Sequence, residues 1–215
     1  SLIRTVIDPD VSISVISNQT SCTPPNGQLQ ASVVGGNTGY TFEWYDVGLT
    51  PLGITGPTAN NLMQGTYVVL VSKGGCTKTS PAQTVTGPPY PDALAQVLQD
   101  VVDCSNPNSG SINADASIGG VVQNPANYTF DWYYYNLGTG VRGSILPPAN
   151  GTGQTRTALA VGSYQALVKD NTTGCISNSL PITVTSTTVF PTPQITQIAP
   201  QTSCDTSNPN GILQG

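Results

Sequence analysis

The sequence predicts an all-β protein made of two similar β-sandwiches arranged end to end. Three observations lead to this prediction: a long phrase that occurs twice and begins a third time, regular alternation of apolar and polar residues, and many turn-forming residues. The chain has 23 Gly and 18 Pro among 215 residues, and only 8% of its residues are charged. Glycine and proline at this density suit many turns between short strands.

The repeat is marked by a proline that precedes a cysteine by the same number of residues at three places. These pairs are Pro9 and Cys22, Pro91 and Cys104, and Pro191 and Cys204. A period of this length indicates an array of similar modules. We expect residues 9–89 to form the first repeat and residues 90–190 the second. Residues 1–8 are expected to be the last strand of a preceding repeat, and residues 191–215 the beginning of a following one, so that the chain is a window from a longer array.

Alternation with period two predicts the strands of each repeat. Val11, Ile13 and Val15 alternate with serine near the start of the first repeat, and Ile112 and Ala114 alternate with polar residues in the second. Such spacing places alternate side chains on one buried face of an antiparallel sheet.

One stretch, residues 92–103, also has apolar residues at helical spacing and an aspartate that could cap a helix. We predict a strand there, because equivalent positions in a repeat share their backbone shape.

Aromatic residues mark the centre of each predicted sandwich. The phrase Tyr-Thr-Phe-Glu/Asp-Trp ends at Trp44 and at Trp132, and a later Gly-Thr/Ser-Tyr ends at Tyr67 and at Tyr164. About seven strands, a tryptophan on an early central strand and a Gly-x-Tyr before a later strand are typical of the immunoglobulin-like sandwich. We therefore predict that Trp44, Tyr67, Trp132 and Tyr164 are core residues, with each tyrosine at a tyrosine corner. The cysteine usual on the Trp-facing strands is absent, which excludes an antibody-type domain.

The five cysteines recur with the repeat, and they predict disulfides formed in an oxidising compartment outside the cell. The cysteines are far apart and the chain has no histidine, so a zinc site is not expected. The simplest pairing lies within each repeat and joins Cys22 to Cys76 and Cys104 to Cys175. In an immunoglobulin-like strand order, however, Cys22 and Cys76 lie in loops at opposite ends of the sandwich.

Distance favours a bond across the junction between the repeats. A strand of six or seven residues spans about 20 Å, whereas bonded cysteines need Cα atoms within about 7 Å. Head-to-tail stacking would bring Cys22 close to Cys175. We predict this bond, with Cys76 bonded to the preceding repeat, Cys104 to the following one, and Cys204 as a further disulfide candidate. Pairing within the repeat, in a differently ordered sandwich, stays open as the alternative.

Composition argues against catalysis and against nucleic acid as a partner. The net charge is −5 and the chain has six Lys and Arg, too few for a basic face that neutralises phosphates. Without histidine there is no Ser-His-Asp machinery. Glu43 and Asp131 precede the two tryptophans and are expected to face solvent, and the other carboxylates form no convincing catalytic pair. No apolar run approaches the roughly 20 residues that span a bilayer, so we expect no membrane span in this segment.

Calcium is the metal that the sequence leaves open, and no other cofactor is expected. Asp8 and Asp10 flank the first junction, and Asp92, Asp100 and Asp103 lie near the second. Oxygen-rich junctions of this kind can bind calcium. The third junction does not repeat the spacing, since only Asp205 lies near its cysteine.

A run of three tyrosines is the candidate ligand surface. Tyr133, Tyr134 and Tyr135 directly follow Trp132, so at least one ring must point outward or line a loop. The run could form a platform for carbohydrate, and packing against an edge strand or a neighbour is the alternative.

Several of these phrases resemble a repeat of very large cell-surface adhesins from gliding and related bacteria of the Bacteroidetes type. They are Tyr-Thr-Phe-Glu/Asp-Trp, Leu-x-x-Gly-Thr/Ser-Tyr-x-x-x-Val, the Gly-Cys before the last strand, and the opening from Cys22 to Leu29. The resemblance covers both full and both partial repeats. It implies export by a type 9 secretion system, display as a long filament on the cell surface, and adhesion, in some members during gliding. Partners would be neighbouring repeats of the same chain, with surface polysaccharide and other cell-surface proteins as candidate ligands.

The function predicted from the sequence is mechanical: a non-catalytic structural and adhesive segment of a long filament. A carbohydrate-binding module that uses the tyrosine run is one alternative. An accessory region of a secreted hydrolase is the other.

Overall fold

The structure is a computed structural model that describes residues 9–150, 153–189 and 192–215. These residues form nineteen β-strands and two single-turn 3-10 helices, at Pro125–Asn127 and Pro148–Asn150. No helix among them has the length and apolar character needed to cross a membrane. The strand expected within residues 1–8 lies outside the described residues.

The first repeat folds into two facing antiparallel sheets. One sheet has the order β1-β2-β5, and the other has the order β4-β3-β6-β7, with β8 also paired to β6. The strands are β1 Val11–Ser17, β2 Gly27–Val33, β3 Thr41–Asp46, β4 Pro51–Thr55, β5 Thr58–Leu62, β6 Gly65–Lys73, β7 Cys76–Thr79 and β8 Gln83–Val85. The first, second and fifth strands oppose the third, fourth, sixth and seventh, which is an immunoglobulin-like order.

The second repeat has the same architecture. One sheet has the order β9-β10-β14, and β11 also pairs with β10. The other has the order β13-β12-β15-β16, and β17 also pairs with β15. The strands are β9 Asp92–Gln99, β10 Gly110–Ile118, β11 Val121–Val122, β12 Tyr128–Asn136, β13 Val141–Ile145, β14 Thr155–Leu159, β15 Gly162–Asp170, β16 Ile176–Asn178 and β17 Ile182–Val184. The prediction of tandem immunoglobulin-like sandwiches is confirmed by these two strand orders.

The segment with helical spacing is the strand β9, so the strand prediction is confirmed and the helical alternative is wrong. β9 pairs along its length with β10. Ala93, Ala95 and Val97 pack against the core, while Leu94 and Leu98 are exposed. Inward packing therefore follows period two, and the leucines that suggested a helix point to the other face.

Each sandwich has its own core. Residues from Val11 to Val85 form one buried cluster and residues from Val101 to Val184 form the other. Trp44 and Trp132 are completely buried at equivalent places, and Tyr67 and Tyr164 are buried beside them. Each tyrosine hydroxyl donates to a backbone carbonyl four residues upstream, Met63 in one case and Ala160 in the other, at 2.8 Å. Both are tyrosine corners.

The last strand of each sandwich is divided by a buried serine. Ser80 donates its backbone N–H to the carbonyl of Val69 and accepts from the Val69 N–H through its hydroxyl. Ser179 makes the same two bonds with Ala166. The hydroxyl takes the place of a backbone carbonyl, so the strand can kink between β7 and β8, or between β16 and β17, without leaving a buried donor unpaired.

Beyond the second sandwich, β18 Thr196–Ala199 pairs with β19 Ile212–Gln214 in an antiparallel hairpin. This is the pairing of the first two strands in both sandwiches. The limits of the repeats, and the assignment of residues 191–215 to a following repeat, stay predictions.

Candidate functional site: the junction between the sandwiches

A disulfide joins the two sandwiches. Cys22, in the loop between β1 and β2, is bonded to Cys175, which directly precedes β16. Their Cα atoms are 4.9 Å apart and 153 residues separate them in the chain. The structure thus contains the cross-junction pairing. The alternative within the repeat, Cys22 with Cys76 and Cys104 with Cys175, is wrong, because these loops lie at opposite ends of each sandwich.

Two hydrogen bonds flank the disulfide. The backbone N–H of Cys22 donates to the carbonyl of Thr173 at 2.7 Å, and the hydroxyl of Thr23 donates to the carbonyl of Gly174 at 3.2 Å. Gly174 has φ of +72° and lies so close to Thr23 that an added Cβ would be 3.3 Å from the Thr23 Cβ. Glycine at this position therefore serves both the turn and the close approach of the two chains.

The loop that carries Cys22 is held by the side chain of Asn26. Its Oδ1 accepts from the backbone N–H groups of Thr20 and Ser21 at 2.8 and 3.2 Å, and its Nδ2 donates to the Thr20 hydroxyl at 2.9 Å. These three hydrogen bonds close the loop on itself just before the cysteine. Cys22 is therefore presented by a loop of defined shape.

Buried Gln19 attaches the same loop to the body of the first sandwich. Its backbone N–H donates to the carbonyl of Thr86 at 2.9 Å, and its Oε1 accepts from the N–H of Gln64. Its Nε2 donates to the carbonyl of Ser21 at 2.9 Å. Gln19 is only 3% exposed, so these bonds are shielded from water and fix the position of Cys22 relative to the core.

The hairpin that carries Cys175 is organised by Asp170. The carboxylate of Asp170 accepts from the N–H groups of Thr172 and Thr173 at 2.7 and 3.1 Å. The backbone of Asp170 also pairs with Gly174 and with Cys175, each at 2.9 Å. Cys175 is fully buried and Cys22 is half-buried, so the disulfide enters the second sandwich from the edge of the contact.

The loop that carries Cys204 reproduces the hydrogen bonds of the loop that carries Cys22. Asn210 accepts from the N–H groups of Thr202 and Ser203 at 2.9 and 3.0 Å and donates to the Thr202 hydroxyl at 2.7 Å. Gln201 donates to the carbonyl of Ser203 at 2.9 Å, as Gln19 does to Ser21. The two loops thus present their cysteines in the same way.

The loop of the second repeat departs from this pattern. Val101 occupies the place of Gln19 and is buried in the core, and the hydroxyl of Ser109 accepts from the N–H of Val102 at 3.1 Å. Near its cysteine, hydrogen bonds from the hydroxyl and the N–H of Ser105 lower the pKa of Asp103. Ser207 lowers the pKa of Asp205 in the same way in the third loop.

Sequence reasoning missed the roles of Gln19, Asn26 and their counterparts. A signal was present, since Gln-Thr-Ser-Cys followed by Pro-Asn-Gly or Asn-Pro-Asn-Gly occurs at both Cys22 and Cys204. The phrase indicated the repeat. It could not show which side-chain amides form hydrogen bonds within the loop, because that depends on the path of the backbone.

Three cysteines have no disulfide partner within the described residues. Cys76, Cys104 and Cys204 are all exposed. Cys76 lies in the hairpin that corresponds to the hairpin of Cys175, and Cys104 and Cys204 lie in loops that correspond to the loop of Cys22. Their predicted partners belong to neighbouring modules of the repeat, and these pairings stay predictions.

The three tyrosines of the candidate ligand surface do not share one face. Tyr134 packs against Tyr164 with ring centroids 5.7 Å apart, while the guanidinium of Arg142 lies 4.4 Å from the ring centroid of Tyr133. The hydroxyl of Tyr135 donates to the carbonyl of Gly140 at 3.1 Å. Because successive side chains of a strand alternate between faces, the run does not form a continuous aromatic platform.

Three of the acidic residues considered for calcium are engaged in hydrogen bonds. Asp100 accepts from the N–H of Thr185 at 2.7 Å, and Asp103 and Asp205 hold their own turns. In the described part of the chain no three acidic, cysteine or histidine residues gather as metal ligands would. Asp8 lies outside the described residues, and calcium binding at the junctions stays a hypothesis.

Comparison with known proteins adds no family. No protein-family model matches the chain, and no curated protein sequence matches it. Among solved structures, murine CEACAM1b is similar, with 11% identity, 82% of this chain and 99% of that chain covered, and a TM-score of 0.33. The N-terminal four Ig domains of Dscam1 isoform 6.44 show 13% identity over 90% of this chain and 54% of theirs, with a TM-score of 0.30. Likenesses this weak carry no argument about function, and the immunoglobulin-like assignment depends on the strand order.

Proposed function

We propose that this chain is a non-catalytic structural and adhesive segment of an extracellular filament, in which a disulfide holds each module to the next. The immunoglobulin-like fold alone does not decide a function, because the same fold serves many. The observation that carries the proposal is the bond between Cys22 and Cys175. It provides a covalent contact between two units whose cores are separate.

The disulfide determines which part of the chain can lengthen under tension. A pull on the two ends passes through β1 to Cys22, crosses the bond to Cys175, and leaves through β16 and β17. Residues 23–174 lie inside the closed covalent loop. Even if a sandwich unfolds, these residues cannot extend while the bond is intact.

Cys22 is a loop cysteine of one module, and Cys175 is a hairpin cysteine of the next. The same pairing between the equivalent cysteines of further modules gives a filament with two covalent paths. Cys76 would bond the loop cysteine of the preceding module, and Cys104 the hairpin cysteine of the following one. One path then runs through β1, the bond of Cys22 to Cys175, and β16. The other runs through β7, the linker, β9 and Cys104. The body of each module would connect the two paths, and tension would be shared between them.

The setting of this filament is proposed from chemistry and resemblance together. Disulfides persist in oxidising compartments, which supports a place outside the cell. The resemblance to the repeats of gliding-bacterial adhesins extends the proposal to type 9 secretion, display on the cell surface, and attachment during gliding. Other modules of the same filament are the first proposed partners, with surface polysaccharide or cell-surface proteins as ligands.

Single-molecule stretching of the chain, with handles at its two ends, tests the mechanical proposal. The loop spans 153 residues, so its release adds roughly 500 Å at about 3.3–3.6 Å per residue. We expect the oxidised chain to lack this extension until a reductant is added. The variant Cys22→Ser should show it from the start, and Cys76→Ser should behave as the unmodified chain. Full extension of the oxidised chain in the absence of reductant would contradict the proposal.

Peptide mapping tests the second covalent path. In a longer chain with three or more of these modules, mapping without reduction should find a residue equivalent to Cys104 linked to the Gly-Cys hairpin of the next module. A free thiol at every such position in the secreted filament would reject the second covalent path. The bond between Cys22 and Cys175 would then be the one covalent contact proposed.

A further inference from the structure

A cavity of about 510 Å³ opens in the second sandwich, and the start of β12 that lines it pairs with Asp170 at the base of the Cys175 hairpin. It lies at the beginning of β12, beside the connection between β13 and β14. Its lining includes Tyr128, Phe130, Asp131 and Arg156. Two aromatic residues of the core edge, an aspartate and an arginine thus line one opening.

Arg156 is the unusual residue of this cavity. It is only 4% exposed, and its Nε donates to no hydrogen-bond acceptor in the described part of the chain. Removal from water lowers the pKa of Arg156, and the nearby charge of Asp131 opposes this shift. A buried donor without a partner costs free energy, and a charged one costs more. The arginine is therefore an unsatisfied donor beside an open space.

The first sandwich shows that the fold does not require an arginine here. Arg156 of β14 is paired with Ile112, and the equivalent pair in the first sandwich is Ala59 with Leu29. Ala59 is completely buried in the core. A matching cavity of about 420 Å³ lies beside Tyr40 and Phe42 and contains no charged residue in its lining. The two cavities agree in their aromatic wall and differ in their lining charges, although the ammonium of Lys73 lies 4.5 Å from the ring centroid of Tyr40 just outside the lining of the smaller cavity.

We propose that the cavity of the second sandwich binds a sugar acid, that is, a monosaccharide unit carrying one carboxylate. The guanidinium of Arg156 has a planar array of donors that matches a carboxylate. Nε is closed off from solvent, so a bound carboxylate would supply the acceptor that Nε lacks once the guanidinium turns toward the opening. The ring of the sugar would lie against the aromatic wall of Tyr128 and Phe130.

The balance of charge distinguishes a sugar acid from an acidic peptide. The lining has one buried cation, Arg156, and one half-buried anion, Asp131. Asp131 is half-buried and lies on the face of β12 opposite the buried Phe130 and Trp132, where it borders this cavity. Its carboxylate can accept hydrogen bonds from hydroxyl groups, and it repels a ligand with several negative charges. A ring with a single carboxylate and several hydroxyls satisfies both side chains.

This inference adds a ligand to the proposed adhesive filament and does not use the disulfide. The cavity would bind its ligand in reduced or oxidised protein alike. Failure of the stretching experiment would therefore leave the binding proposal untouched, and the reverse also holds.

Titration of the ¹⁵N-labelled 215-residue chain with D-glucuronate, followed by NMR, tests the proposal, with D-glucose as the matched neutral sugar. We expect saturable shifts at Tyr128, Phe130 and Arg156, no shifts at Tyr40 and Phe42, and none with glucose at the same concentration. The substitution Arg156→Ala gives the second sandwich an alanine, as the first sandwich has at the equivalent Ala59. It should weaken glucuronate binding at least tenfold.

Several outcomes would overturn the inference. Equal shifts with glucose, equal shifts in both sandwiches, or unchanged glucuronate affinity in Arg156→Ala would each reject the role of the arginine. Equal binding of N-acetylaspartate would reject the sugar. If Arg156→Ala fails to fold, as judged by peak dispersion, Arg156→Met keeps much of the apolar stem of the side chain and removes the charge. The comparison of glucuronate with glucose on unmodified protein needs no variant at all.

Discussion

Cys22 and Cys175 lie 153 residues apart in the chain, yet their Cα atoms are 4.9 Å apart. The short distance depends on two loops that are each shaped in advance, one by Asn26 and the other by Asp170. The two sandwiches do not share a core. The disulfide at this junction joins them covalently, in addition to the backbone that connects them.

Removal of the disulfide should lower the free energy of unfolding. Chain entropy for a loop of this length gives an upper estimate of about 4–5 kcal/mol. We expect about 2–4 kcal/mol for the double variant Cys22→Ser with Cys175→Ser, since separate cores let each sandwich retain much of its own stability. Calorimetry of the oxidised protein and the variant measures the difference. Cys76→Ser, in the equivalent hairpin, is the matched control and should change little, and an equal loss in this control would contradict the assignment.

Gly27 and Gly110 occupy the same place in the two sandwiches, and neither has room for a Cβ. An added Cβ would lie 2.7 Å from the Leu62 carbonyl oxygen at Gly27 and 2.8 Å from the Leu159 carbonyl oxygen at Gly110. Backbone atoms cannot move aside at low cost, so we expect each alanine substitution to destabilise its own sandwich by about 1–3 kcal/mol. Chemical denaturation followed by fluorescence checks this.

Gly143→Ala is the control for these glycines, because its nearest neighbour, the carbonyl oxygen of Tyr134, would be at an ordinary 3.4 Å. Where no overlap occurs, exchange of glycine for alanine lowers the entropy of the unfolded chain and does not destabilise the fold. A loss of stability at Gly143 as large as at Gly27 would therefore contradict steric overlap as the cause.

The tyrosine corners should make the protein sensitive to alkali. Burial raises the pKa of Tyr67 above its ordinary value of 10.0, with a further contribution from Asp46, and burial together with Tyr134 raises that of Tyr164. The folded state therefore favours the neutral phenol. The stabilisation is present below pH 10 and is lost as the pH rises through the higher pKa of the folded state.

Substitution of the tyrosines separates this effect from the hydrogen bond of each corner. Tyr67→Phe and Tyr164→Phe should each cost about 0.5–1.5 kcal/mol at pH 7, because the bond to the upstream carbonyl is lost. Each should also flatten the decline of the melting temperature above pH 10. Melting curves from pH 7 to 11.5 measure both, with the exposed Tyr90→Phe as control. An alkaline decline of unchanged slope in both variants would show that other groups cause it.

Arg156→Met should stabilise the second sandwich. The arginine has a buried donor without a partner, and such a donor costs about 1–3 kcal/mol. Methionine keeps much of the apolar volume of the arginine stem and removes the charge, so the melting temperature should rise. Arg142→Met, which removes an exposed cation from the face of Tyr133, should change stability by less than about 1 kcal/mol. A clear loss of stability in Arg156→Met would identify the arginine as a structural residue.

Much of the fold could be read from the repeat itself. The segment 92–103 was ambiguous alone, and comparison with residues 11–17 predicted the strand correctly. The core positions of Trp44, Tyr67, Trp132 and Tyr164 followed from their matching places. Comparison of the repeats could not predict the cavity beside Arg156, because a single arginine in an alternating strand is expected to be exposed.

The sequence by itself determined the local alternation, the period of the repeat and the spacing of the cysteines, because these depend on residues that are neighbours in the chain or equivalent between repeats. The tertiary structure decided which cysteines meet, how the amides of Gln19 and Asn26 hold their loop, and that Arg156 faces a cavity without an acceptor. Those features depend on the approach of segments far apart in the chain, such as β1 with the hairpin of Cys175. Only packing fixes that distance.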